Sequence, residues 1–156
     1  MVGRTEGGMS HRVACEMAGR IAAVGMVAGA YFEIPGGCHP TRPIPIVAFH
    51  GDADQIALYT GSKMLSMPAV FQWVADWAKR NDCLYGSETT FQQGDVSGIT
   101  WTSGTSPTEV RLYTIRNGGH TWPGGTPQPF LGKTSKDVHA SEIMWAFFKA
   151  HPLLLN

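Results

Sequence analysis

A chain of 156 residues, 43% apolar and 15% charged, has the composition of one globular domain around a single core. Twelve basic residues balance twelve acidic ones and no basic stripe appears, which argues against nucleic-acid binding, because phosphate neutralisation needs clustered Lys and Arg. No run of about 18 apolar residues is present, so no membrane-spanning helix is expected.

The chain opens on Gly3-Arg4-Thr5-Glu6-Gly7, a hydroxyl side chain between glycines. No basic-then-apolar export segment stands ahead of it, and this start reads as the middle of a fold. Met9, Val13 and Met17, with Ala14 and Ala18 beside them, predict a helix over 9–19 that Gly19 stops. Residues 21–28 are an apolar run without alternation, as expected of a strand buried on both faces. Gly and Pro over 29–43 predict a loop. A second buried strand over 44–49 delivers His50-Gly51-Asp52-Ala53-Asp54.

A helix is expected over 66–82, with Ser66 as its cap and Pro68 in its first turn. Val70, Phe71, Val74, Trp77 and Ala78 form its apolar face, and Lys79 and Arg80 suit the dipole at its end. Residues 84–108 are rich in Gly, Ser and Thr; within them, 99–102 is expected to pair with a strand at 109–115 as a hairpin. After that strand comes Gly118-Gly119-His120-Thr121-Trp122-Pro123-Gly124-Gly125, then a loop to 136. Ile143/Phe147 and Met144/Phe148 predict a last helix over about 140–149, ended by Pro152. The aromatic residues Phe71, Trp73, Trp77, Trp145 and Phe147 read as core. Strands alternating with helices predict an α/β fold, a mostly parallel sheet covered on both faces, in one domain over 1–156.

The three cysteines allow at most one disulfide within the chain. Cys15 falls in the first helix and reads as a small buried apolar residue. Cys38 and Cys83 lie in loop-like contexts and are the expected pair. No zinc-type spacing appears, and His11, His39, His50, His139 and His151 are scattered, so no metal site is expected.

In open α/β sheets, reactive groups gather beyond the C-terminal ends of the strands. Thr5, Asp54 and His120 all fall at such positions, in the chain order hydroxyl, carboxylate, histidine. A hydroxyl is a poor nucleophile until a base takes its proton. An imidazole can do this near neutral pH, and a carboxylate on its far nitrogen fixes the tautomer and stabilises the imidazolium. Each residue also has a plainer role: Thr5 as a helix cap, Asp54 as a turn former, His120 as a structural histidine in a glycine loop. Asp52 is the rival carboxylate, better suited to the turn. Ser10 is the alternative hydroxyl, placed inside the helix. Trp122 and Phe130 are the candidate lining of a substrate pocket.

The strings Gly3-x-x-x-Gly7-Gly8-Met9-Ser10-His11, His50-Gly51-x-Ala53-Asp54-x-Ile56 and Gly118 to Gly125 resemble the polyhydroxybutyrate depolymerase and feruloyl-esterase-like branch of the α/β-hydrolases. Ala140-Ser141-Glu142-Ile143-x-Trp145-x-Phe147-Phe148 is similar to the same branch, so the resemblance runs nearly end to end. It implies a shortened α/β-hydrolase that cleaves carboxylic esters through an acyl-enzyme, with a small ester as substrate and no cofactor. It implies Asp54 as triad acid, His120 as base and the Glu6 amide as one oxyanion donor. The family is often exported. Two departures stand out. Thr5 occupies the place of the family's serine, and its methyl group restricts χ1 on a crowded turn. The chain also begins at the nucleophile turn, without the usual preceding strands. A sheet cut there leaves an apolar edge, which predicts a homo-oligomer that covers it.

Overall fold

The strand Ile46–Gly51 is buried along its whole length, because it has a strand on each side and helices on both faces. The structure, a computed structural model, describes residues 6–84, 88–104 and 106–153. Its elements run α1 (Glu6–Glu16), β1 (Val24–Val27), β2 (Ile46–Gly51), α2 (Val70–Arg80), β3 (Thr89–Gln93), β4 (Val96–Thr102), β5 (Glu109–Ile115) and α3 (Ala140–Ala150). Short 3₁₀ turns occupy Ala18–Arg20 and Pro129–Leu131. Among the described residues no helix is long and apolar enough to cross a membrane.

The sheet order is β1-β2-β5-β4-β3. β1, β2 and β5 are parallel, whereas β4 pairs antiparallel with both β5 and β3. The sheet is therefore mixed, a correction to the mostly parallel expectation. Its cause is the hairpin itself: β4 returns directly into β5, and β3 returns into β4 through Gly94 (φ +57°) and Asp95, so neither link has the crossover that parallel pairing requires. β3, Thr-Thr-Phe-Gln-Gln, is an exposed edge strand.

Alternation along the strands divides the core in two. Ile46, Ala48, Val110 and Leu112 meet α1 and α2 through Ala14, Val74 and Trp77. Val47, Phe49, Tyr113 and Ile115 meet α3 through Ala140, Met144 and Phe147. Phe71 and Trp145, both expected in the core, are 45% and 64% exposed; the helices bury only the stripe facing the sheet. α2 begins at Val70 after Ala69 rather than at the expected Ser66 cap. Ser66 has φ +49° in a tight turn that Met67 closes by donating its N–H to Ser62 O.

The disulfide joins Cys15 to Cys38, not Cys38 to Cys83. Cys15 is buried near the end of α1 and faces the 29–43 loop. Cys83 is free and buried, its Sγ within 3.4 Å of Thr108 O. Arg42 from the same loop donates to Ala18 O, Ile21 O and Ala22 O, tying the segment between α1 and β1 in place.

Candidate active site

Two turns meet at the C-terminal ends of the parallel strands β2 and β5. The first, Gly51 to Asp54, leaves β2; the second, Arg116 to His120, leaves β5. They are stitched by backbone. Asp52 N–H donates to Ile115 O (3.0 Å) and Ala53 N–H to Gly118 O (3.0 Å). The Asp52 carboxylate accepts from Asn117 N–H at 2.6 Å, which suits the positive φ of +56° at Asn117. Asp52 thus secures the turn.

Asp54 is fully buried at its side chain. A buried carboxylate is costly unless its oxygens are satisfied, and here they are. Oδ1 accepts from Ile56 N–H (2.8 Å) and Ala57 N–H (2.9 Å). Oδ2 accepts from His120 Nδ1 at 2.9 Å and lies 3.4 Å from His50 Nε2. Burial alone would raise the Asp54 pKa; the hydrogen bonds from His120, His50, Ile56 and Ala57 outweigh it and hold the carboxyl well below the usual carboxylate range.

His120 is held from the other side. Its N–H donates to Leu131 O at 2.7 Å, and Gly119 N–H donates to Lys133 O at 2.9 Å. A Cβ at Gly119 would stand 2.0 Å from Leu131 O, so only glycine lets the two segments run this close. The ring points its Nδ1 at Asp54 and is 21% exposed at the side chain. An ionised carboxylate only accepts, so Nδ1 carries hydrogen, and Nε2 of the neutral ring keeps its lone pair. His120 lines an open cleft of about 250 Å³ with Ala53, Gln55, Ile56, Pro129, Phe130, Leu131 and Gly132.

The sequence-predicted residues are thus placed unevenly. Asp54 and His120, 66 positions apart, are in hydrogen-bond contact. Phe130 lines the cleft, but Trp122 does not: its indole N–H donates to Ser141 Oγ at 3.0 Å at the start of α3. Thr5 lies outside the described residues, Glu6 is the first residue of α1, and Ser10 is half-buried within that helix. His50 is a residue the sequence reading passed over. Its sequence signals were a polar residue near the end of a buried strand, one turn before Asp54, and its place at the head of the string His50-Gly51-x-Ala53-Asp54.

Away from these turns, His11, Cys15 and Cys38 bring one nitrogen and two sulfurs within 4.8 Å of one another, but the sulfurs are joined to each other. His11 Nδ1 accepts from Trp77 Nε1–H at 3.2 Å. Burial, with a contribution from the Arg80 charge, lowers the His11 pKa from 6.5 to about 4.

No family model matches the chain. It is 30% identical over 145 residues to the protein named "Putative esterase NocK" from Nocardia uniformis subsp. tsuyamanensis, a match covering 80% of this chain and 42% of that protein. It is also 30% identical over 134 residues to feruloyl esterase B from Piromyces equi, covering 73% of this chain and 23% of that protein. The chain spans less than half the length of either relative. The similarity to both proteins named as esterases is distant.

Proposed function

We propose that the chain carries the working side chains of a carboxylic ester hydrolase that acts through an acyl-enzyme. Thr5 attacks the ester carbonyl, and His120 Nε2 takes its proton. Asp54 holds the imidazole with Nε2 free and stabilises the imidazolium that forms. The Glu6 N–H, in the first turn of α1 where amides lack helical partners, donates to the oxyanion. Collapse of the tetrahedral intermediate expels the alcohol, protonated by His120. Water, deprotonated by the same imidazole, then releases the acid and restores Thr5. The chemistry calls on no metal and no organic cofactor.

The observation that carries this reading is the 2.9 Å contact between a solvent-reachable imidazole and a fully buried, fully donated carboxylate. It occurs at strand ends where such groups act in α/β folds, in a chain similar to two esterases. The cleft of about 250 Å³ beside His120 suits a short acyl chain or a small or aryl alcohol. Hydrolysis of p-nitrophenyl acetate is the test. His120→Ala and Thr5→Ala are expected to abolish turnover, Ser10→Ala to leave it intact, and Thr5→Ser to raise it. Unchanged hydrolysis in His120→Ala overturns the reading; loss in Ser10→Ala with a silent Thr5→Ala moves the nucleophile to Ser10. Threonine in place of serine favours one other reading, a binding protein that keeps the fold without turnover, and an inert wild type that gains activity as Thr5→Ser would support it.

The assembly belongs to the same proposal. β1 is an edge strand of Val, Gly, Met and Val, without the charge or proline that blunts exposed edges. A second copy pairing along it would cover the edge. Light scattering is expected to give a dimer at micromolar concentration, and a stable monomer would remove this part of the proposal.

A further inference from the structure

We propose that His50 is a positioning residue that sets the direction in which Asp54 faces His120. The role rests on the hydrolase reading above. His50 is the penultimate residue of β2, on the face toward α1 and α2, and it is 1% exposed. Its Nε2 is 2.7 Å from Ala57 O. A carbonyl can only accept, so Nε2 carries hydrogen whatever the charge on the ring. That hydrogen goes to Ala57 O, and Asp54 Oδ2 is a second, longer contact 3.4 Å from the same nitrogen.

Oδ2 is therefore the meeting point of two imidazoles, His120 from the cleft side and His50 from the interior. Oδ1 is fixed by the Ile56 and Ala57 amides. Without His50, Oδ2 keeps its bond from His120 but loses the polar contact on its interior side, and Ala57 O loses its side-chain partner. The turn from 50 to 57 is closed at both ends by these bonds: Asp54 on the Ala57 N–H, His50 on the Ala57 carbonyl. His50 is buried and does not line the cleft beside His120, so its proposed contribution reaches the reaction through Asp54.

The other titratable and charged groups facing this turn are few. The Tyr31 ring lies 6.3 Å from the His50 ring, and burial pushes its phenol pKa up, out of the working range. Tyr59 lies 5.9 Å from it, its hydroxyl bonded to Thr114 Oγ1. Asp52 is engaged by Asn117 N–H. On the 129–133 segment beside His120, Lys133 pairs with Asp95 at 2.6 Å. None of these replaces the His50 contact with Oδ2.

The test compares His50→Leu, His50→Gln and His120→Ala in p-nitrophenyl ester hydrolysis across pH. His50→Leu is expected to lower kcat about 10- to 100-fold with KM unchanged, the range for one lost hydrogen bond to a charge. The acid limb of kcat/KM is expected to move to higher pH, because a carboxylate with fewer donors holds the imidazolium proton more tightly. Gln carries two amide hydrogens that can serve both Ala57 O and Oδ2, so His50→Gln is expected to restore most of kcat and return the limb. A folded His50→Leu with wild-type kcat and limb overturns the proposal while His120→Ala, inactive, keeps the hydrolase reading. If His50→Leu does not fold, a folded His50→Gln that loses activity with its limb unmoved overturns it equally. Unchanged hydrolysis in His120→Ala removes the hydrolase reading and the positioning role together.

Discussion

Gly51 and Gly118 touch through their backbones: a Cβ at Gly51 would stand 2.2 Å from Gly118 O. This contact lets Ala53 N–H reach Gly118 O and so brings the Asp54 turn against the His120 turn. Gly51→Ala must push the two apart. It is expected to cost about 3 kcal/mol or more in urea unfolding and to lower ester hydrolysis in the fraction that still folds. Gly19→Ala is the control, because its Cβ would meet nothing nearer than Thr41 Oγ1 at 4.0 Å. That variant is expected to unfold at the wild-type urea midpoint or slightly above it.

Asp54→Asn tests the tautomer. An amide at this position offers His120 Nδ1 a donor as readily as an acceptor, and the ring is then free to protonate at Nε2. The expected loss in kcat is on the order of 10⁴, with substrate affinity retained. Steady-state kinetics on a short-chain ester check it, and a loss below tenfold would mean that Asp54 does not orient the imidazole.

His11 links stability to pH. Its folded pKa is depressed from 6.5 to about 4, so between those values the unfolded chain binds the proton and the folded chain does not. Stability from this group is complete above pH 6.5 and is lost as the pH falls toward 4, by up to about 3 kcal/mol. Urea midpoints measured between pH 7 and pH 4 are expected to fall, and His11→Phe is expected to flatten that slope relative to wild type.

The cysteine pairing is open to direct titration. With Cys15 bonded to Cys38, and Cys83 buried with its thiol pKa pushed up to about 11, the native protein is expected to react with no thiol reagent on the minute scale. The denatured, unreduced protein is expected to show one thiol. The bond closes a loop with a sequence separation of 23, so reduction or Cys15→Ser is expected to cost about 3 kcal/mol in the chain-entropy picture. A Cys83→Ser variant that also lost the disulfide would contradict the pairing.

Much of the fold was legible because helix and strand periods differ. α1, α2 and α3 each follow an i, i+4 stripe, and β1 and β2 are the uninterrupted apolar runs of buried strands. The placement of Asp54 and His120 at strand ends was legible because each follows a strand-like segment, β2 and the alternating β5, on a turn marked by glycine. The remainder depends on contacts distant in sequence. β3 has no apolar alternation, since both of its faces are largely wet. The partner of Cys15 depends on how the 29–43 loop lies against α1, which no local pattern encodes. Phe71 and Trp145 sit on helices whose buried stripe is narrower than their apolar residues suggest. His50 reads as one more strand residue until the Ala57 carbonyl and Asp54 are placed around it.

The Asp54 carboxylate has one further consequence. With polar hydrogens directed at both of its oxygens before any substrate arrives, it would have little left to rearrange if, as proposed, charge develops on His120. In the proposed hydrolase, reorganisation of the Asp54–His120 pair during turnover would therefore be small, and little of the energy released by docking a substrate would be diverted into building it. Even a weakly held, minimal ester should then meet a relay already in working order, and gains from larger substrates should come from better placement of the carbonyl.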